Sequence, residues 1–414
     1  MGLVSPALDV PPEAERPNKR AKLEPLTEDT SQDTSRAVSP APGGARHLDL
    51  AERLDAEERA KYVKGAKLGS GQYADVYSAH LKTDPSQLVA IKKIKVGAEF
   101  EQWGVSLDSI REIKFLQELD HPNIIKLYSV FSTKNQNLNL VLEQLPQGDL
   151  LKLIQDTADI SYTPADIKAW MLMLSRAVHF CHVNHILHRD IKPNNLLIAA
   201  NGEIKLADFG LARYMADPYE PMTYNTITIW YRPPEMFFQS KFYSGKVDVW
   251  SCGAVFAELI ARDVMFRAIP DTEINMINLI CEKVGTPTED NWPGVSKLPT
   301  YTVPSPPTPL KSADHWRAMF PSVGPTGVDL LMKMLSLDPR KRLSAQEVLE
   351  HDYWTAEPRP SRLEDLPRKG GGLEAMGEEL TKMGGELPGN GKPTASRGRA
   401  DGVARKLDFA AMAK

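Results

Sequence analysis

His188-Arg189-Asp190-Ile191-Lys192-Pro193-Asn194-Asn195, followed 18 residues after Asp190 by Asp208-Phe209-Gly210, decides how this chain is read. Phosphoryl transfer asks a protein for positioning and charge neutralisation more than for covalent chemistry. A carboxylate accepts the hydroxyl proton, a cation shields the transferred group, and hard oxygen donors hold Mg²⁺. Asp190, Lys192, Asn195 and Asp208 are the residue types for those four tasks. Each could sit in an ordinary loop; as an ordered set they point to that chemistry.

Upstream, Leu68-Gly69-Ser70-Gly71-Gln72-Tyr73-Ala74-Asp75-Val76 places two glycines in an expected strand-turn-strand. Glycine lets backbone N–H groups approach phosphate oxygens with no Cβ in the way. Alone, such a loop could be only a hairpin turn. Ala74 stands where a third glycine would complete the dinucleotide fingerprint, and no helix follows, so that reading fails. Val89-Ala90-Ile91-Lys92 lies on the third strand, and Arg111-Glu112 lies on an amphipathic helix. Lys92 could mark a strand end reaching solvent and Glu112 a solvated charge. They could instead pair, holding the ammonium against the α- and β-phosphates.

Strand-rich runs at Tyr62 to Leu68, Ala74 to Leu81, Leu88 to Ile94 and Asn137 to Leu142 precede a mostly helical stretch. Apolar residues at 107, 110, 113, 116 and 119 predict a helix, as do the Thr163-Pro164 opening pair and the run Ile167 to Phe180. The expected fold is α+β and bilobal, with a small β-rich lobe over about 62–145 and a larger helical lobe over about 146–354. Phe, Trp and Tyr are absent before Tyr62 and again from Thr355 to Asp408, so 1–61 and 355–414 are expected to be disordered tails. The 50 Lys+Arg against 54 Asp+Glu give a net charge of −4, which argues against direct nucleic-acid binding. No apolar run approaches membrane-spanning length, and no secretory leader is apparent. Cys181, Cys252 and Cys281 are too scattered for a disulfide framework or zinc spacing, which suits a reduced intracellular compartment.

In order and spacing these motifs resemble the eukaryotic protein kinases. The resemblance covers about 62–354 and implies ATP and Mg²⁺ as cofactors. It implies that Asp190 is the catalytic base and that Asn195 and Asp208 are metal ligands. Lys92 would hold the phosphates and pair with Glu112. Residues Leu68 to Ala74 and Val76 would cover the nucleotide. Ala90 and Leu197 would sandwich the purine, and Glu143 to Leu145 would form the hinge behind Leu142. Lys192 with Thr228 resembles the serine/threonine branch, and Glu235 would pair with Arg342. Pro233-Pro234-Glu235 replaces the usual Ala-Pro-Glu without removing a chemical group.

Trp230-Tyr231-Arg232, Asp248 to Gly253 and Gly285-Thr286-Pro287 narrow the resemblance to cyclin-dependent kinases. The 104–112 segment, with Gln72-Tyr73-Ala74 and the Pro-rich run 357–367, is similar to the TFIIH-associated kinase subunit. That implies a cyclin H-like cyclin, the TFIIH core and an assembly factor as partners. It also implies that the cyclin completes the Lys92–Glu112 pair, that Thr223 is the activation-loop phosphosite, and that Arg111, Arg189 and Arg213 meet its phosphate. Arg232 would shape a pocket favouring Ser-Pro and Thr-Pro substrates, with the RNA polymerase II repeat foremost. The basic run Pro17 to Leu23 is either a solvated cluster or a nuclear import signal; nuclear localisation is the expectation. Two other readings compete: a cell-cycle cyclin-dependent kinase, and a pseudokinase scaffold, which the presence of Lys92, Asp190, Asn195 and Asp208 disfavours.

Overall fold

The strand Leu88–Ile94 shows how period-two alternation divides the small lobe. Val89 and Ile91 join Ala79, Phe131 and Val141 in a small core on one face of the sheet, while Ala90 and Ile94 join the main core on the other. A computed structural model describes residues 50–70, 74–95, 107–133, 138–215 and 227–367. All of them belong to the second of two units, Asp49–Lys414.

In chain order the small lobe comprises α1 (Leu50–Ala60), β1 (Tyr62–Ser70), β2 (Ala74–Leu81), β3 (Leu88–Ile94), α2 (Leu107–Glu118), β4 (Leu127–Ser132) and β5 (Leu138–Glu143). Its five strands form an antiparallel sheet in the order β1-β2-β3-β5-β4. The large lobe carries α3 (Leu150–Gln155), α4 (Pro164–Val183), β6 (Ile186–Leu187), β7 (Leu196–Ile198), β8 (Ile204–Leu206), β9 (Arg213–Tyr214) and α5 (Pro234–Phe237). Then follow α6 (Lys246–Ala261), α7 (Glu273–Lys283), α8 (Ala313–Met319), α9 (Gly324–Met334) and α10 (Ala345–Leu349). The expected α+β, two-lobed arrangement is the one found.

α4 begins where its sequence directs. Thr163 and Asp166 form a reciprocal capping box, and Pro164 occupies the first turn, where its missing N–H costs nothing. α6 is buried on every side from Val247 to Leu259 and forms the spine of the large lobe, Trp250 stacking on Phe266 at 5.5 Å. Glu235 and Arg342, 2% and 1% exposed, pair through bonds of 2.6 and 2.9 Å.

Three expectations need correction. The stretch read as an N-terminal tail contains α1, which buries none of its residues. Its Leu, Ala, Glu and Arg are strong helix formers. The Asp55 carboxylate fastens it to β4, accepting from the N–H of Ser132 at 2.9 Å and from that residue's hydroxyl. At the other end, order continues past Trp354 to residue 367, with Leu366 only 3% exposed. Absence of aromatics signals absence of a core, but neither segment needs a core of its own. On the α2 segment one position of the expected stripe, Ile110, is 50% exposed, whereas Leu116 and Leu119 are buried and Ile113 packs against the core. The basic cluster 17–23 and residues 368–414 lie outside the described residues.

Candidate active site

The loop after β6 is shaped by a carboxylate on α6. Asp248, with no exposed surface, accepts from the N–H of His188 at 3.0 Å and of Arg189 at 2.9 Å. It also bonds His182 Nε2 at 2.9 Å. Burial alone pushes the Asp248 carboxyl up; the His182 bond and these further donors outweigh it, and the net shift is downward. Arg189 takes the left-handed conformation at φ +65°, which turns the chain sharply just before Asp190. The buried His188 ring stands edge-on to Phe209 at 4.7 Å and bonds the Ala207 carbonyl at 3.1 Å, and burial pushes its pKa down.

Around Asp190 the expected residues meet. Lys192 Nζ lies 2.7 Å from Asp190 Oδ2 and 3.1 Å from Thr228 Oγ1, and the Thr228 hydroxyl donates to Asp190 Oδ1 at 2.6 Å. Asn195 Nδ2 donates to the carbonyl and to Oδ2 of Asp190, both at 2.8 Å. The Asn195 amide is therefore anchored through nitrogen, and its oxygen remains as an acceptor for a hard cation. Asp190 is 4% exposed, with donors on both oxygens.

The small lobe supplies the facing half. Lys92 Nζ donates to Glu112 Oε1 at 2.6 Å and Oε2 at 2.9 Å, and stands 3.6 Å from Asp208 Oδ1. Register pairing of Lys92 with Leu140 and of Ala90 with Leu142 fixes β3, and Glu112 on α2 is 3% exposed. The pair is closed in this structure, with α2 turned inward. Burial pushes the Asp208 carboxyl up, but Lys92 first, then His188 and Lys192, more than offset it and hold it below its ordinary value. Asp208 too is left-handed, at φ +64°. Its side chain is 48% exposed, so it is open to a ligand.

Above and beside this centre lie the expected purine contacts. Ala90 and Leu142 are buried, Leu197 is half-buried on β7, and the Leu145 N–H and carbonyl take no backbone partner among the described residues. The Glu143 carboxylate reaches across to Lys205 on β8 at 2.9 Å, a bond between the lobes. Of the glycine-loop residues, Leu68, Gly69, Ser70, Ala74 and Val76 are described; Gly71, Gln72 and Tyr73 are outside. Asp75 Oδ1 gathers the neck of that loop, taking Ser70 Oγ at 2.6 Å, Lys67 Nζ at 2.9 Å and Lys95 Nζ at 3.1 Å.

On the opposite flank, Arg232 is 7% exposed. It donates through Nε and Nη2 to the Ile227 carbonyl at 3.0 and 2.9 Å and through Nη1 to Glu273 at 3.0 Å. Thr223 lies outside the described residues. Of its three expected arginines, Arg189 bonds the Leu211 carbonyl at 2.9 Å and the Tyr243 hydroxyl at 3.0 Å. Arg111 pairs with Asp108 at 3.0 Å, and Arg213 sits on β9 opposite Leu187. The positioning work of Asp75, Lys205, Tyr243 and Asp248 is not announced by the sequence; Asp75 and Asp248 stand within recognisable motifs, Lys205 and Tyr243 do not.

The protein kinase domain model matches residues 62–354. The serine/threonine-protein kinase KIN28 of Saccharomyces cerevisiae is 44% identical over 304 residues, 73% of this chain and 95% of that one. Cyclin-dependent kinase 7 of Xenopus laevis is 39% identical over 363 residues, 87% of this chain and 99% of that one. A chain in the structure of the CAK complex from Chaetomium thermophilum bound to ATP-γ-S superposes with a TM-score of 0.75 at 57% identity, covering 78% of this chain and 99% of that chain. With the ordered motifs brought into one cleft and relatives matched over nearly their whole length, the chain belongs to the protein kinase family, among the cyclin-dependent serine/threonine kinases of the KIN28 and cyclin-dependent kinase 7 type.

Proposed function

We propose that this chain is an ATP-dependent, cyclin-activated and proline-directed kinase that phosphorylates the RNA polymerase II C-terminal repeat within TFIIH and activates other cyclin-dependent kinases. The observation that carries the reading is the closed set Asp190–Lys192–Thr228–Asn195, with Asp208 on the same lobe, facing Lys92–Glu112 across the cleft. The ATP-γ-S in the similar CAK structure supports ATP as the nucleotide.

Asp190 is the base. Thr228 now donates to its Oδ1, and a substrate serine or threonine hydroxyl takes that place to deliver its proton. Lys192 holds Oδ2 and lies where it can shield the transferred group. Lys92, kept in place by Glu112, clamps the α- and β-phosphates. Asp208 and the Asn195 oxygen are hard donors suited to Mg²⁺, which when bound neutralises phosphate charge. Leu68 to Ala74 and Val76 cover the nucleotide, Ala90 and Leu197 sandwich the purine, and the hinge Glu143 to Leu145 reads it through backbone groups.

Arg232 braces the Ile227 carbonyl beside Thr228, and proline after the acceptor suits such a pocket because it has no N–H to leave unsatisfied. A cyclin H-like partner, the TFIIH core and an assembly factor complete the complex. Residues 17–23 direct it to the nucleus, a role that loss of enrichment on changing Lys19, Arg20 and Lys22 to Ala would support. The central experiment compares repeat peptides carrying Ser-Pro or Ser-Ala, with and without the cyclin. Turnover falls by most of its value without proline and without cyclin; equal rates in either comparison refute the corresponding part.

A further inference from the structure

Beyond Trp354 the chain runs as a strap, 355–367, held to the large lobe at three points. Lys168, on α4 and 1% exposed, donates to the Ala356 carbonyl at 2.9 Å. Ser361 donates its N–H to the Ala165 carbonyl at 3.1 Å and its hydroxyl to Asp166 Oδ1 at 2.6 Å. Leu366 is buried against Gly202, where an added Cβ would come within 2.7 Å of it.

The middle point is the chemically unusual one. Asp166 is 4% exposed, and its other oxygen already serves the helix start, accepting from the Thr163 N–H and hydroxyl at 2.8 Å each. The Ser361 hydroxyl supplies the donor for the remaining oxygen. Among the described residues no cation pairs with Asp166: Lys168 is committed to Ala356 and stands over the Tyr353 ring at 4.2 Å. Ser361 is half-buried, between Arg359 and Arg362, which are 60% and 74% exposed. Among the described residues those arginines pair within the strap, Arg359 with Glu357 at 3.2 Å and Arg362 with Asp365 at 3.0 Å and Glu364 at 2.8 Å.

We propose that Ser361 is a phosphorylation-controlled latch: its hydroxyl on Asp166 fastens the strap, and a phosphoryl group in place of that proton releases it. A phosphoserine carries about −1.5 to −2 charges. It would set an anion against a buried carboxylate in place of a donor, and the strap's own exposed arginines are the cations it can turn to on leaving. In the transfer, Ser361 Oγ bonds the γ-phosphorus of ATP as the bond to the β,γ-bridging oxygen breaks. ADP leaves, and the hydroxyl proton goes to the base of the modifying enzyme. Arg362, not proline, follows Ser361, so the agent is a serine/threonine kinase that reads arginine beside its acceptor rather than a proline-directed one. The latch is independent of the proposed substrate and sets where the chain departs from the large lobe.

Amide hydrogen exchange of residues 355–367 in the full chain tests the release. Ser361→Ala removes one hydrogen bond and speeds exchange about fivefold. Ser361→Gln controls for size and stays within about threefold of the Ala variant, on the same hydrogen-bond count. Ser361→Glu brings two charges together and speeds exchange about a hundredfold or more. Asp166→Asn added to the Glu variant keeps an acceptor for Thr163 and returns exchange to the Ala level. Equal behaviour of the Glu and Gln variants, or failure of Asp166→Asn to rescue, overturns the latch. Phosphopeptide mapping of the chain from its own cells, growing and arrested, finds phosphate on Ser361; recovery of that peptide only unmodified overturns the assignment of the site.

Discussion

Replacing Glu258 by Gln changes the pH dependence of stability in a direction that its surroundings dictate. Glu258 lies on α6, 1% exposed, and accepts the Tyr231 hydroxyl at 2.7 Å. Burial pushes its pKa up; the Tyr231 bond lowers it, Asp263 adds to the rise, and the carboxyl settles at about 7 against an ordinary 4.5. A carboxyl raised in the folded state binds more protons there than in the unfolded chain between those two values. Its contribution is therefore whole below pH 4.5 and is lost as pH climbs to about 7. At about 1.4 kcal/mol per unit, a rise of about 2.5 units amounts to about 3 kcal/mol. Gln keeps an acceptor for Tyr231 and never ionises. Urea unfolding of both proteins between pH 4.5 and 8.5 should show equal stability at the acid end and the Gln variant ahead by about 3 kcal/mol at pH 8. Parallel curves across that range would refute the reasoning, since they would mean that Glu258 titrates in place as it does in water.

Arg342→Met strands the Glu235 carboxylate and should cost about 3–5 kcal/mol in urea unfolding, with Glu235→Gln in the same chain recovering part of the loss; a cost below about 1 kcal/mol would remove the pair from the account of the large lobe. Asp190→Asn should lower kcat at least about a hundredfold while ATP affinity, measured by calorimetry, stays within about threefold, because only the proton acceptor is lost. Thr223→Ala should slow peptide phosphorylation and loosen the cyclin complex on gel filtration, and Arg189→Ala should abolish the response to phosphorylation. If Thr223→Ala matches the phosphorylated enzyme in rate and complex stability, the switch lies at another residue.

The parts of the fold legible in sequence are those with local signatures. Alternation marks β3, the Thr163-Pro164 pair opens α4, and the motif around Asp190 announces a chemistry whose members Asp190, Lys192 and Asn195 meet within hydrogen-bond reach. What stayed hidden depends on distance along the chain. Asp75 looks like any polar strand residue until Lys67 and Lys95 close on it, and Lys205 shows nothing of its bond to Glu143 on another lobe. α1 has no buried face to announce it; its order rests on helix propensity and on two carboxylate tethers, Asp55 to Ser132 and Glu58 to Tyr62. No motif foretells that Arg189 and Arg111, arginines of the proposed phosphate site, bond Leu211, Tyr243 and Asp108.

Asp248 has a consequence for how the two halves of the cleft wear and vary. Because the turn before Asp190 hangs from the spine helix by two amide donors, the proton-accepting side is referenced to the deepest part of the large lobe. The nucleotide-facing side, by contrast, is referenced to a five-stranded sheet with its own small core. Breathing between the lobes therefore changes the gap while leaving each face internally unchanged. Heat, denaturant or substitutions that loosen the sheet should erode nucleotide affinity well before they disturb the geometry of the base, and a lineage can drift in the first property while the second is held fixed.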